Sequence, residues 1–271
     1  MRQISSFGSV LLLFVIATNA NTAEMINIPA GSFTMGCAKG DTLCGADEKP
    51  AGKVTVPAFM IDTKEVTVAD YRACVAAGKC KAPKTHSLNQ YCNYDAPKRD
   101  AHPVNCIDWA DAQSYCATQG NRLPREAEWE KAARAGSATA YSWGSKASCR
   151  EAIANDGKTT GSVKGELDGC GEDRTWPVAS RAPNAWGLYD MLGNAGEWVA
   201  NHSAPDALVH YAKGELDYPQ KGDERVVRGG SWDEKLKNIR ASFRNSKPPV
   251  SGDVVYGSVG FRCARDAQAG R

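Results

Sequence analysis

Apolar and polar positions alternate through residues 26–36 around a turn, which predicts a β-hairpin. Residues 53–61 alternate in the same way and predict a further strand, interrupted at Pro57, because proline has no N–H to give to a ladder. Helical spacing follows. Thr67 suits an N-cap, Asp70 three residues on can complete a capping box, Gly78 suits the stop, and Tyr71, Cys74 and Val75 fall on one inner face. Asp108, with Asp111 behind it, suits the start of a second helix whose inner face holds Trp109, Ala112 and Cys116. A third helix is expected after Pro124, ending near Gly136 and turning Trp129, Ala132 and Ala133 inward. Beyond Tyr141 helix signals are sparse, and Gly, Pro, Asn and Asp punctuate short apolar pieces. Long irregular stretches of this kind need bracing by disulfides or a metal, or serve binding.

The chain of 271 residues shows no internal repeat and no low-complexity linker, so one domain is expected over about 24–267. Arg2, the apolar run 10–17 and the small residues up to Ala20 read as a secretory signal over 1–20, since a membrane span needs roughly 20 apolar residues. Secretion or a periplasmic location is the expectation, with no membrane insertion after the signal is cut. A net charge of +2 lends no support to a nucleic-acid partner. All ten cysteines lie beyond the signal, and an even count in an exported chain points to disulfides. Proximity suggests the pairs Cys37 with Cys44, Cys74 with Cys80, Cys92 with Cys106, and Cys149 with Cys170. Cys116 and Cys263 are left over, although sequence alone does not fix connectivity.

The motifs converge on a resemblance. "IPAGSFTMG" (28–36), "IDTKEVTVADYRACV" (61–75), "HPVNCIDWADAQSYC" (102–116), "RLPREAEWEKAARAG" (122–136), "NAWGLYDMLGNAGEWV" (184–199), "RVVRGGSW" (225–232) and "GSVGFRCAR" (257–265) follow one another as in the formylglycine-generating-enzyme, or sulfatase-modifying-factor, family. The resemblance implies an irregular α+β domain of C-type-lectin-like fold, loop-rich and disulfide-braced, with Cys116 bonded to Cys263. It also implies a structural calcium held by the side chains of Asp190 and Glu197 and the carbonyls of Gly193 and Ala195, a donor set suited to a hard cation. A second family calcium site would fall near Asn155 and the acids between Asp168 and Asp173, where the match is poor and Cys149 and Cys170 can do the ordering instead.

The resemblance fails where the family's chemistry sits. Its catalysts carry two copper(I)-binding cysteines three and eight residues after the serine of Gly-Gly-Ser, positions held here by Glu234 and Ile239. Copper is therefore not expected. Iron has no supporting pattern either, because His86, His102, His202 and His210 lack a tight metal spacing. Exported relatives without the cysteines include a protein implicated in maturing the pyoverdine chromophore. Ser231, Asp233 and Glu234 are the catalytic candidates, one acid acting as base if burial raises its pKa. Arg228, Trp232, Arg240 and Arg244 are the candidates for holding a polar ligand, the aromatic face giving area and the guanidinium groups planar donors. The expectation is a monomeric maturation or accessory factor for a peptide, protein or polar small-molecule client, with an oxidoreductase step in view. The alternative is a non-catalytic lectin-like binding module, and authentic formylglycine generation ranks third.

Overall fold

The protein is described by a computed structural model covering residues 24–83, 90–156, 170, 174–249 and 256–267; the expected signal segment lies outside the described residues. Strand β1 (Met25–Ile28) opens the fold, followed by β2 (Gly31–Met35), β3 (Gly52–Val56) and β4 (Phe59–Asp62). The expected hairpin of β1 with β2 does not form. Instead β1 runs antiparallel to β4, with Ile26 opposite Ile61, and β2 runs antiparallel to β3, with Phe33 opposite Val54. The reason lies in Pro57, which cuts the second alternating stretch into two strands, each of which takes one half of the first stretch as its partner.

Helix α1 (Val68–Ala76) has the capping box read from the sequence: the Asp70 N–H donates to Thr67 Oγ1 at 3.1 Å, and the Thr67 N–H donates to the Asp70 carboxylate at 3.2 Å. Helix α2 (Trp109–Thr118) buries Ala112, Tyr115 and Cys116, while Trp109 stays half-buried beneath the Arg225 guanidinium, 3.6 Å from its ring centroid. Helix α3 (Glu126–Arg134) is buried along its whole length, charged residues included. Its first turn is closed by the Arg125 N–H donating to the Glu128 carboxylate at 2.8 Å, and it ends in left-handed backbone at Ala135 and Gly136. A short helix, α4 (Ala207–Ala212), was not anticipated; six residues give hydrophobic periodicity too little length to register.

The second half of the chain supplies β5 (Gly196–His202), β6 (Arg225–Arg228), β7 (Arg244–Lys247), β8 (Val259–Gly260) and β9 (Ala264–Asp266). Among the described residues these complete two sheets: β7-β6-β5-β8, with β8 parallel to β5, and β1-β4-β9. One core packs α3 and α4 against β1–β4 and includes Leu192 and Ile239; the other joins α1 and α2 to Trp198, Val227, Val259 and Phe261. Tyr71 and Tyr115 stack at 5.5 Å in that second core, with Phe261 edge-on to both.

Five disulfides brace the loops. Cys37 is bonded to Cys44, Cys74 to Cys80, Cys92 to Cys106, and Cys149 to Cys170, which are the four pairs that proximity suggests. Cys116 is bonded to Cys263, the pair left over and the one the resemblance implies. This last bond spans 147 residues and ties α2 to the residue just before β9. The whole is a loop-rich α+β domain of C-type-lectin-like fold. No helix among the described residues is long and apolar enough to cross a membrane.

Candidate functional site

The loop from Asp190 to Glu197 carries left-handed backbone at Asp190, Gly193 and Asn194, with φ of 52°, 92° and 58°. Glycine is required at 193 on two counts, because a Cβ there would also stand 2.4 Å from the Ile153 carbonyl. Glu65 anchors this loop from the segment before α1: its two oxygens accept from the Asn194 side-chain amide at 2.8 Å and the Ala195 N–H at 3.0 Å. The loop in turn holds the strip 229–232. The Gly193 N–H donates to the Gly229 carbonyl, and the Trp232 N–H donates to the Asn194 carbonyl, both at 2.9 Å.

On that platform Ser231 is buried and donates its hydroxyl to the Asp233 carboxylate. Trp232 packs against Tyr91, the ring centroids 5.0 Å apart and the planes tilted by 39°, and donates its indole N–H to the Gly257 carbonyl at 3.3 Å. Asp233 is exposed to solvent. Glu234 is half-buried and accepts from the amides of Asn238 at 2.7 Å and Asn245 at 3.4 Å. Ile239 is fully buried in the larger core, with its Cγ2 2.8 Å from where a Cβ on Gly230 would lie. The site has therefore closed over one of the two family thiol positions with hydrocarbon and given the other to a hydrogen-bonded carboxylate. All ten cysteines are used in disulfides, so no thiol elsewhere substitutes for them.

Below the loop lies a group of buried charges. Glu197 accepts from Arg262 at 2.7–2.8 Å and from the Trp129 indole at 2.7 Å, so both its oxygens are engaged within the protein. Burial, then the neighbouring Asp190 and Glu197, hold the Glu65 carboxyl well above the usual carboxylate range. Burial likewise pushes Asp190 to about 6 against the N–H of Ala179, and Asp62 to about 7 against the N–H of Cys263. Asp62 Oδ1 is buried with no hydrogen-bond partner. Glu65, Asp62, Asp190 and Glu197 gather around Arg262, with Arg181 also acting on Asp190, and this excess of carboxylates suits a cation in charge. The donor atoms suit it less evenly, since Glu197 is turned toward Arg262 and Trp129. Of the rest of the expected set, Asp190 accepts from the Ala179 N–H at 2.6 Å through one oxygen. Sequence reasoning missed Glu65 and Arg262, although both stand inside recognised motifs, "KEVT" and "GFR".

Three expected ligand-holding residues are corrected. Arg228, Arg240 and Arg244 do not line a cleft; their side chains are at most 4% exposed and serve internal ion pairs. Arg228 donates to Glu126 and Glu130 of α3, each at 2.7 Å, and Arg244 donates to Glu126 at 2.7 and 3.0 Å. Arg240 clamps Glu48 at 2.6 and 2.7 Å. Burial alone would raise the Glu126 pKa, but Arg244 and Arg228 outweigh it and hold the carboxyl at about 2. Burial and Arg99 push His102 down to about 4, so it is neutral at neutral pH. His86 and most of the second calcium segment lie outside the described residues. Among those described, the one set of three metal-type side chains whose ligand atoms all lie within 4.8 Å of one another is Cys149, Asp156 and Cys170, whose cysteines are bonded to each other.

Comparison with known proteins agrees with this frame. The sulfatase-modifying factor enzyme 1-like domain matches residues 14–267. The chain is 30% identical to the formylglycine-generating enzyme of Streptomyces coelicolor, over 91% of this chain and 90% of that protein. It is also 30% identical to the inactive C-alpha-formylglycine-generating enzyme 2 of Bos taurus, over 92% and 90%. Among solved structures, PvdO from Pseudomonas aeruginosa superposes with a TM-score of 0.72 at 30% identity, covering 90% of this chain and 95% of that one. With the match running through nearly the whole described chain, and with the Asp190 loop and the Gly-Gly-Ser strip folded against each other, the protein belongs to the sulfatase-modifying factor enzyme 1-like domain family.

Proposed function

We propose that this chain is an exported maturation or accessory factor that receives a peptide-derived or protein client at the strip of Ser231 and Trp232, and that it does not generate formylglycine by the copper route. One observation carries the proposal: Ile239 is sealed in the core at one thiol position while the sequence before it keeps the family's Gly-Gly-Ser motif. Copper(I) needs soft ligands, and isoleucine with a carboxylate supplies none. The similarity to an inactive formylglycine-generating paralogue and to PvdO supports a frame retained for another use. Five disulfides support an oxidising, exported setting.

Calcium belongs to this proposal as a structural ion. Asp190, Gly193 and Ala195 would hold it, with Glu65 and Glu197 supplying negative charge nearby. Bound there, it would neutralise the carboxylates and stiffen the loop on which Gly229 and Trp232 hang. At the strip itself, Ser231 and Asp233 offer a paired hydroxyl and carboxylate, and the tilted pair of Trp232 and Tyr91 offers an aromatic wall for a client. The test is incubation of the purified protein with copper, oxygen and a peptide carrying Cys-x-Pro-x-Arg. The expected result is unmodified cysteine, and aldehyde formation would overturn the proposal.

A further inference from the structure

A pocket of about 350 Å³ opens between the start of β2 and the C-terminal end of α3, away from the Ser231 strip. Pro29, Phe33 and Trp186 give it apolar walls, and Lys131 and Arg134 give it a cationic floor. A volume of a few hundred Å³, apolar lining and a small number of converging charges are the usual features of a small-molecule site.

Arg134 pairs with Glu130 at 2.8 Å, but among the described residues the charge of Lys131 has no counter-charge. Lys131 is buried, and its ammonium donates to two carbonyls, of Pro29 at 2.5 Å and of Gly31 at 3.2 Å. An ammonium has three donors, and among the described residues no carboxylate pairs with this one. Burial alone depresses its pKa, with no acidic neighbour acting in the other direction. Glu130, next to Lys131 in the chain, is already shared between Arg134 and Arg228, and Glu126 is shared between Arg228 and Arg244. Three buried guanidinium groups, of Arg134, Arg228 and Arg244, therefore share Glu126 and Glu130, and Lys131 is a further buried cation beside them. A buried charge without a counter-charge is costly, and a ligand that brings one recovers that cost.

We infer that this pocket binds a small anion with an apolar body, its acidic head on the Lys131 ammonium and its hydrocarbon or aryl portion against Phe33 and Trp186. The acid can be a carboxylate or a sulfonate; the geometry asks for one negative head and a chain or ring of modest size. The site is separate from the client strip, so its occupancy is independent of the proposed function.

Octanoate tests the inference, with octylammonium as the charge-reversed control and calorimetry as the readout. Octanoate is expected to bind in about one equivalent and octylammonium not at all. Lys131→Met should weaken octanoate roughly ten- to hundredfold, the range set by losing a charge-assisted hydrogen bond. Because Lys131 also holds the β1–β2 link, Ala138→Trp provides a second variant. Ala138 is an exposed residue on the pocket rim, and a bulky ring there should obstruct entry while the melting temperature stays unchanged. The inference fails if octanoate shows no heat up to about ten millimolar, a weak limit for a ligand of this size, if octylammonium binds equally well, or if neither variant weakens binding.

Discussion

Replacing Arg228 separates a core ion from a ligand-holding one. Arg228→Met keeps much of the side-chain volume and removes two charged hydrogen bonds of 2.7 Å to Glu126 and Glu130 and one of 2.6 Å to the Ala241 carbonyl. It also removes the guanidinium that sits 5.3 Å from the Trp129 ring centroid. Both carboxylates are fully buried, and each keeps another guanidinium, Arg244 for Glu126 and Arg134 for Glu130. Breaking one partner of a buried charged group costs about 3–5 kcal/mol, since charge is left behind without its full complement. For a domain of this size each kcal/mol moves the melting temperature by about 2–4 °C, so a fall of about 6–20 °C is expected. Thermal and urea melts of the disulfide-intact protein measure it. Arg72→Met is the control: Arg72 pairs with Asp100 at the surface, 37% and 67% exposed, and should cost under about 1 kcal/mol. If Arg228→Met costs as little as Arg72→Met, or abolishes ligand capture while the melts are unchanged, the internal role of Arg228 is wrong.

Acid should expose the same network. Glu126 ionises at about 2 in the folded protein against 4.5 ordinarily, so its contribution of about 3 kcal/mol is present above about pH 4.5 and is lost as pH falls toward 2. Glu126→Gln should therefore flatten the acid limb of a stability-versus-pH curve; an unchanged limb would contradict the assignment. Calcium at the Asp190 loop should stabilise by about 2–3 kcal/mol when present at about a hundredfold over its Kd. Chelation should lower the melting temperature and Asp190→Ala should remove that response; superimposable melts with and without chelator would count against a resident ion.

Much of this was legible in the chain because the signals were local. The capping box of α1 needs only Thr67 and Asp70, and the buried helix α3 announces its start with Pro124 and its stop with Gly136. Short separations anticipated four of the disulfides, from Cys37–Cys44 to Cys149–Cys170, and left Cys116 and Cys263 as the remainder. What escaped was long-range pairing. Alternation in residues 26–36 reported two strands correctly, but it does not state their partners, which are set by Pro57 more than twenty residues later. Arg228 and Arg240 looked like cleft residues because they flank the Gly-Gly-Ser strip. Their carboxylate partners lie 98–102 and 192 residues earlier, a separation no local pattern reports. Glu65 was hidden for the same reason: its partners, Asn194 and Ala195, are about 130 residues away.

A copper(I) titration of the purified, disulfide-intact protein against a chromogenic chelator probes the altered pocket directly. With Glu234 and Ile239 at the two thiol positions and all ten cysteines bonded, the chelator should keep the copper. One equivalent withdrawn by the protein, and released again by Ser231→Trp, would place a working copper site at the strip and contradict the reading of a frame kept without its thiolates.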